Sequence, residues 1–115
     1  MAASDTGADE LPEVTVDEAI ALVADGTLLI DVREQDEWDA GHSPDATLIP
    51  LSELQQRVHE LPEDQRFLVV CHSGGRSLRA TSFLRQDGFD AVNVIGGMTA
   101  WAAAGGALTA NAPEA

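Results

Sequence analysis

Short apolar runs alternate with helical segments along most of this chain, and that alternation leaves few folds open. Thr27 to Ile30, Ala46 to Ile49, Phe67 to Val70 and Ala91 to Ile95 each have the length and apolar content of a buried strand. The stretches between them carry helix signals. Thr15 with Glu18 forms a capping box, Val16, Ala19, Ile20 and Val23 fall on one face, and Gly26 suits the exit, so this helix should end by Asp25. A brief helix carrying Trp38 leads to Gly41. Ser52 with Gln55 gives a second capping box, and Leu51, Leu54, Val58 and Leu61 share a face before Pro62 stops the helix. A further helix is expected from about Ser77 to Asp87, with Gly88 beyond it, and a last one through Met98 and Trp101. No internal repeat is present.

Strands that alternate with helices argue for an α/β fold with a parallel sheet flanked by helices on both faces, because each crossover lays a helix on the sheet. In open sheets of that kind the ligand crevice lies beyond the carboxyl ends of the strands. Asp31 and Cys71 both sit at such ends. Read alone, a cysteine after four apolar residues fits a small core side chain. Its sequel changes the reading. Gly74 and Gly75 allow a tight turn and close approach to a ligand, and Arg76 supplies a cation that can fork onto anionic oxygens. Strand, loop and helix in that order put the thiol at a helix N-terminus, where free amides and the dipole favour an anion and lower a cysteine's pKa. A reactive thiolate at Cys71 is expected.

A length of 115 residues gives one domain. The acidic Met1 to Glu10 is expected to be disordered, residues 11–108 to fold, and residues 109–115 to form a flexible tail. The formal net charge of −14, with every base an arginine, repels polynucleotides and anionic membranes, so neither is expected as a partner. Arg76, Arg79 and Arg85 make one locally basic stretch at the suspected site, although Arg85, nine positions past Arg76, should face elsewhere. A single cysteine excludes an internal disulfide and a zinc site built from cysteines. His42, His59 and His72 lack paired-ligand spacing, so no metal and no other cofactor is expected. The beginning lacks the basic and apolar regions of a secretion signal, which makes the cytoplasm the expected location. Residues 91–113 carry no charge, yet Asn93 and the glycines among small alanines leave them far less apolar than a membrane span.

Several blocks in order resemble a single-domain rhodanese, a sulfurtransferase module. They are Leu29-Ile30-Asp31-Val32-Arg33, Gly41-His42 with Pro44, the Cys71 to Ser77 loop, Asp87-Gly88-Phe89, and Gly96-Gly97-Met98 with Trp101. The resemblance covers roughly Val14 to Leu108 and implies a five-stranded parallel sheet flanked by helices. It further implies that Cys71 is the catalytic nucleophile, cycling between thiolate and persulfide. In that reading the amides of His72, Ser73, Gly74, Gly75, Arg76 and Ser77 ring the sulfur. The donor would be a small sulfur anion such as thiosulfate, and the acceptor cyanide, a thiol or an acceptor protein. Asp31 and Arg33 match a supporting motif, Asp31 accepting N–H bonds near the loop and Arg33 pairing with acids such as Glu37.

Two other readings share the fold: a non-catalytic or regulatory binding module, and a phosphatase or arsenate reductase. Phosphatases of this type place five residues between cysteine and arginine, whereas His72, Ser73, Gly74 and Gly75 make four here. Two positions depart from the usual rhodanese pattern. His72 stands where arginine is common, and supplies a cation only part of the time near neutral pH, which weighs against thiosulfate. Ser43 and Asp45 flank Pro44 where Ile and Gly are usual, and Asp45 can take the left-handed backbone a turn there would ask for. With no second cysteine, a persulfide on Cys71 must leave to an outside nucleophile.

Overall fold

The Thr15 hydroxyl accepts the Glu18 amide at 3.2 Å and the Glu18 carboxylate accepts the Thr15 amide at 2.8 Å, so the first helix opens on the box its sequence encodes. In the computed structural model, which describes residues 11–110, this helix is α1, Val16–Ala24. Gly26, at φ +101°, turns the chain back towards the sheet. A two-residue strand, β1 (Glu13–Val14), precedes α1. There follow β2 (Leu28–Asp31), α2 (Gln35–Ala40), β3 (Ala46–Leu48), α3 (Leu51–Arg57) with a 3-10 turn at Val58–Glu60, β4 (Phe67–Val70), α4 (Gly75–Gln86), β5 (Ala91–Val94) and α5 (Gly97–Ala103).

The five strands form one wholly parallel sheet in the order β1-β5-β4-β2-β3. β4 lies at its centre and is fully buried, which is why Phe67-Leu68-Val69-Val70 is apolar on both faces. Alternate residues feed two cores. Ile30, Phe67, Val69 and Ala91 pack with Leu54 of α3 and Ala80 and Leu84 of α4. Leu29, Leu68, Val70 and Val92 pack with Ala19 and Val23 of α1 and Met98 and Trp101 of α5. The chain is therefore the α/β sandwich its alternation demands, with the carboxyl ends of β2 and β4 side by side.

Local details differ from the sequence reading for identifiable reasons. β1 was not among the expected strands. Ser52 and Gln55 form no capping box: the N-cap of α3 lies two residues earlier, at Pro50, and the Ser52 hydroxyl donates to Glu34 instead. A box does form at α2, where the Glu34 amide donates to Glu37 and the Glu34 side chain takes the Glu37 amide. α4 starts at Gly75 rather than Ser77, because Gly74 at φ +119° serves as its cap. The turn at Pro44 survives without left-handed backbone: no described residue except glycine has positive φ, and the buried Ser43 hydroxyl accepts the Asp45 amide at 3.2 Å.

The expectations for residues 1–10 and 111–115 lie outside the described residues. Thr109, assigned to the tail, exchanges two 2.8 Å backbone hydrogen bonds with His42. Among the described residues, no helix is long and apolar enough to cross a membrane.

Candidate active site

Cys71 follows β4 directly, where the chain leaves the sheet and turns through Gly74 into α4. The Gly74 amide donates to the sulfur at 3.1 Å. Burial is the largest single influence on the thiol and pushes its pKa up. The Ser77 hydroxyl and the amides of Ser77, Gly74 and Arg76 act the other way, and together they hold the thiol below its ordinary value. Of the amides from His72 to Ser77, that of Gly74 hydrogen-bonds the sulfur. The side chain is 1% exposed, so Cys71 is both continuous with the core and aimed at by donors.

A second loop holds the first. The Met98 and Thr99 amides, at the start of α5, donate to the carbonyls of Cys71 and His72 at 2.7 and 3.0 Å. Gly97, at φ +60°, lies so close that a Cβ there would stand 2.5 Å from both carbonyl oxygens. Gly97 is thus required by close approach of two backbones, and Gly96 by its φ of +83° and the Ala100 Cβ above it.

Two ion pairs flank the sulfur. Arg33 grips Asp31 from the same strand end: Nε and Nη2 reach the carboxylate at 2.8 to 3.1 Å, and the Arg33 amide adds a bond at 3.0 Å. Nη1 and Nη2 also donate to the carbonyls of Glu37 and Gly41. Asp31 accepts its N–H bonds from the Arg33 amide and guanidinium. One expected partner is corrected: Arg33 pairs with Asp31 and not with the Glu37 carboxylate. That carboxylate forks onto Arg76 at 2.6 and 2.7 Å. The hydrogen bonds to Arg76 are the main reason its pKa is lowered to about 2. Arg76 is thereby committed to Glu37 across the mouth of the site, and braces the loop from α2.

The surface beside the loop is partly apolar. Gly41, His72, Met98 and Leu108 line a shallow depression with Arg33 and Glu37. His72 is exposed, with Thr99 Oγ1 3.5 Å from its Nε2. Arg79 is exposed on α4, and Arg85 turns away to Asp90 and the Ala91 carbonyl. His42 stacks on Trp38 at 3.7 Å and contacts its carbonyl through Nδ1. A cleft at the other end of the sheet, bounded by Thr27, Leu28, Leu61 and Pro62, holds no cysteine. Among the described residues no group of three or more His, Cys, Asp or Glu side chains is arranged to hold a metal.

Two partners escaped the sequence reading. Glu37 was assigned to the wrong arginine, because Arg76 lies 39 residues away in sequence. Asn93 received no role at the site, although a lone amide in the buried strand Ala91-Val92-Asn93-Val94 was a visible signal.

The chain matches the rhodanese-like domain over residues 15–104. It is 36% identical over 107 residues to a protein of Allochromatium vinosum named "Sulfurtransferase", a match that takes in 92% of this chain and 97% of the relative. It is 37% identical over 101 residues to the "Putative sulfur carrier protein YrkF" of Bacillus subtilis, covering 85% of this chain and 55% of the relative, so it spans about half of that protein. The crystal structure of a rhodanese-related protein from Thermoplasma volcanium superposes with a TM-score of 0.79 at 30% identity, over 85% of this chain and 97% of that one.

Proposed function

The chain belongs to the rhodanese-like domain family of sulfurtransferases, and from that membership we propose that it carries a sulfane sulfur from an anionic donor such as thiosulfate, through a persulfide on Cys71, to cyanide or a thiol. The Cys71 thiolate attacks the outer sulfur of the donor. A new S–S bond forms, the bond between that sulfur and the sulfonate breaks, and its electron pair leaves with sulfite. The acceptor then attacks the outer sulfur of the persulfide, and the broken S–S bond returns its electrons to Cys71 as thiolate. Splitting the transfer in this way replaces one difficult step with two displacements.

The observation that carries this reading is the backbone at one sulfur: the Gly74 amide donates to it at 3.1 Å, with the amides of Arg76 and Ser77 beside it. They stabilise a thiolate as nucleophile in the first step and as leaving group in the second, and being fixed by α4 they need no reorganisation. The four-residue span from Cys71 to Arg76 makes a smaller ring than the five-residue span of phosphatases. Since Cys71 is the sole cysteine, the acceptor is external: a small thiol, cyanide or a cysteine of another protein.

Thiocyanate formation from cyanide and a sulfane donor tests the reading. Turnover is expected with at least one of thiosulfate, mercaptopyruvate and glutathione persulfide, and none in Cys71→Ser. Turnover that survives Cys71→Ser contradicts it, as does inertness towards all three donors in a protein whose thiol still reacts with iodoacetamide.

A further inference from the structure

The shallow depression beside the cysteine loop is built on the same backbones that hold that loop. Met98, Thr99 and His72 line it, and the Met98 and Thr99 amides donate to the Cys71 and His72 carbonyls at 2.7 and 3.0 Å. Exposed apolar side chains stand around it: Ala40 from α2, Ala102 from α5 and Leu108 from the segment beyond α5. Leu108 is 49% exposed, yet the chain on either side of it is pinned. Trp101 Nε1 donates to the Ala107 carbonyl at 3.0 Å, and Thr109 makes its two backbone bonds to His42. A large apolar side chain held in water by a fixed backbone marks a contact surface.

Size decides between two kinds of occupant. The depression measures about 270 Å³ and lies open to water, whereas pockets that enclose a small molecule run to roughly 300 to 1,000 Å³. It suits a side chain presented by a larger body better than a whole ligand. Charge narrows the choice. Arg33 and Glu37 of the lining are already neutralised, by Asp31 and Arg76. Beyond them α2 and its cap present the exposed Asp36 and Glu34, with Asp36 one turn before the lining Ala40, in a chain of net charge −14. A cationic partner is favoured.

We propose that this depression seats an apolar side chain beside the accepting cysteine of a cationic protein segment, so that the acceptor is a protein thiol rather than a small one. The inference rests on sulfur leaving Cys71 for an outside thiol. In that step the partner's thiolate attacks the outer sulfur of the Cys71 persulfide. An S–S bond forms on the partner, the bond to Cys71 breaks, and its electron pair stays on Cys71 as thiolate. The seated side chain holds the attacking sulfur at the loop.

Docking can be read without any sulfane sulfur. The probe is a short peptide, Arg-Leu-Cys-Leu-Arg, blocked at both ends and activated as its mixed disulfide with thionitrobenzoate. The thiolate of Cys71, the sole cysteine, attacks the peptide sulfur; a disulfide to the peptide forms, and thionitrobenzoate leaves with the electron pair as a coloured anion. Leu108→Ser, a change at an exposed position, should slow this release about three- to tenfold, the effect of about one or two buried methylene groups. It should leave almost unchanged the rate with a peptide carrying serines for the leucines, and the rate of iodoacetamide labelling. In low salt the arginine peptide should react about tenfold faster than its aspartate counterpart, a gap that narrows as salt is added. Equal slowing with the leucine and serine peptides, or none with either, overturns the proposal, as does an aspartate peptide that reacts as fast as the arginine one. A butanethiol probe that gains as much from Leu108 as the peptide assigns the depression to small thiols, and a dimer that Leu108→Ser dissociates assigns it to a second copy of the chain; both overturn the proposal. The exchange reads the thiol and not turnover, so its failure would leave the sulfur-transfer reading standing.

Discussion

Two arginine–carboxylate forks lie within one loop of the same sulfur, and they do different work because they are buried to different depths. In the first, Arg33 and Asp31 have side-chain exposures of 5% and 0%; in the second, Arg76 and Glu37 are both at 30%. The first is sealed inside the carboxyl rim of the sheet, where an unpaired charge is intolerable, so it fastens β2 to the Glu37 and Gly41 carbonyls around α2. The second spans the open mouth, where water screens it, so its loss changes the charge an incoming donor meets more than it changes the fold. The same pair of residue types acts as a rivet in one place and as a charge setting in the other.

Breaking the rivet should have the largest effect. Arg33→Ala strands the buried Asp31 carboxylate and is expected to destabilise the domain by on the order of 3–5 kcal/mol in urea unfolding. A loss below about 1 kcal/mol would erase the distinction between the two forks. Gly97→Ala comes next. It forces a side chain into φ +60° and onto the Cys71 and His72 carbonyls, and should lower stability by about 2 kcal/mol while slowing alkylation of Cys71. Unaltered alkylation would show that the Gly96-Gly97 loop does not hold the cysteine loop in place.

Glu37→Gln tests the charge setting itself. Freeing Arg76 should raise kcat/KM for thiosulfate about tenfold, the worth of one modest charge-assisted hydrogen bond, for a stability loss of under about 1 kcal/mol. A fall in kcat/KM would mean that Arg76 serves only as a brace. The pH dependence has a definite sign. Glu37 has its folded pKa lowered from 4.5 to about 2, chiefly by Arg76, so the fork stabilises the fold fully above its ordinary value and loses that contribution as the pH falls towards 2. In that window the unaltered protein should lose stability more steeply than Glu37→Gln, as thermal melts would show; parallel slopes would contradict the fork. The smallest effect is expected at the exposed His72. His72→Arg adds a permanent cation beside the cysteine and should improve thiosulfate use a few-fold, with no change for an uncharged persulfide donor.

The same contrast between local and distant partners explains what could be read from the sequence. The α1 cap, the central strand and the cysteine loop are local patterns, and the structure has each of them within a residue or two. β1 is two residues long and exists because β5 offers it an edge, so no periodicity announces it. Ser52 had the right spacing for a cap, but Pro50 stands at the N-cap position and Glu34 claims the hydroxyl. Arg33 had two acids within reach, and burial, which spacing does not encode, decided for Asp31. The pairing of Glu37 with Arg76 and the ladder from Glu13 through Asn93 to Ser77 join residues brought together only by the folded sheet.

The most direct test of the account is the mass of the protein after incubation with thiosulfate and removal of excess donor. The account predicts a gain of one sulfur atom, confined to the peptide holding Cys71, lost again on addition of cyanide and absent in Cys71→Ser. An unchanged mass with thiosulfate and with other sulfane donors, in a folded protein whose thiol is free to be alkylated, would contradict it.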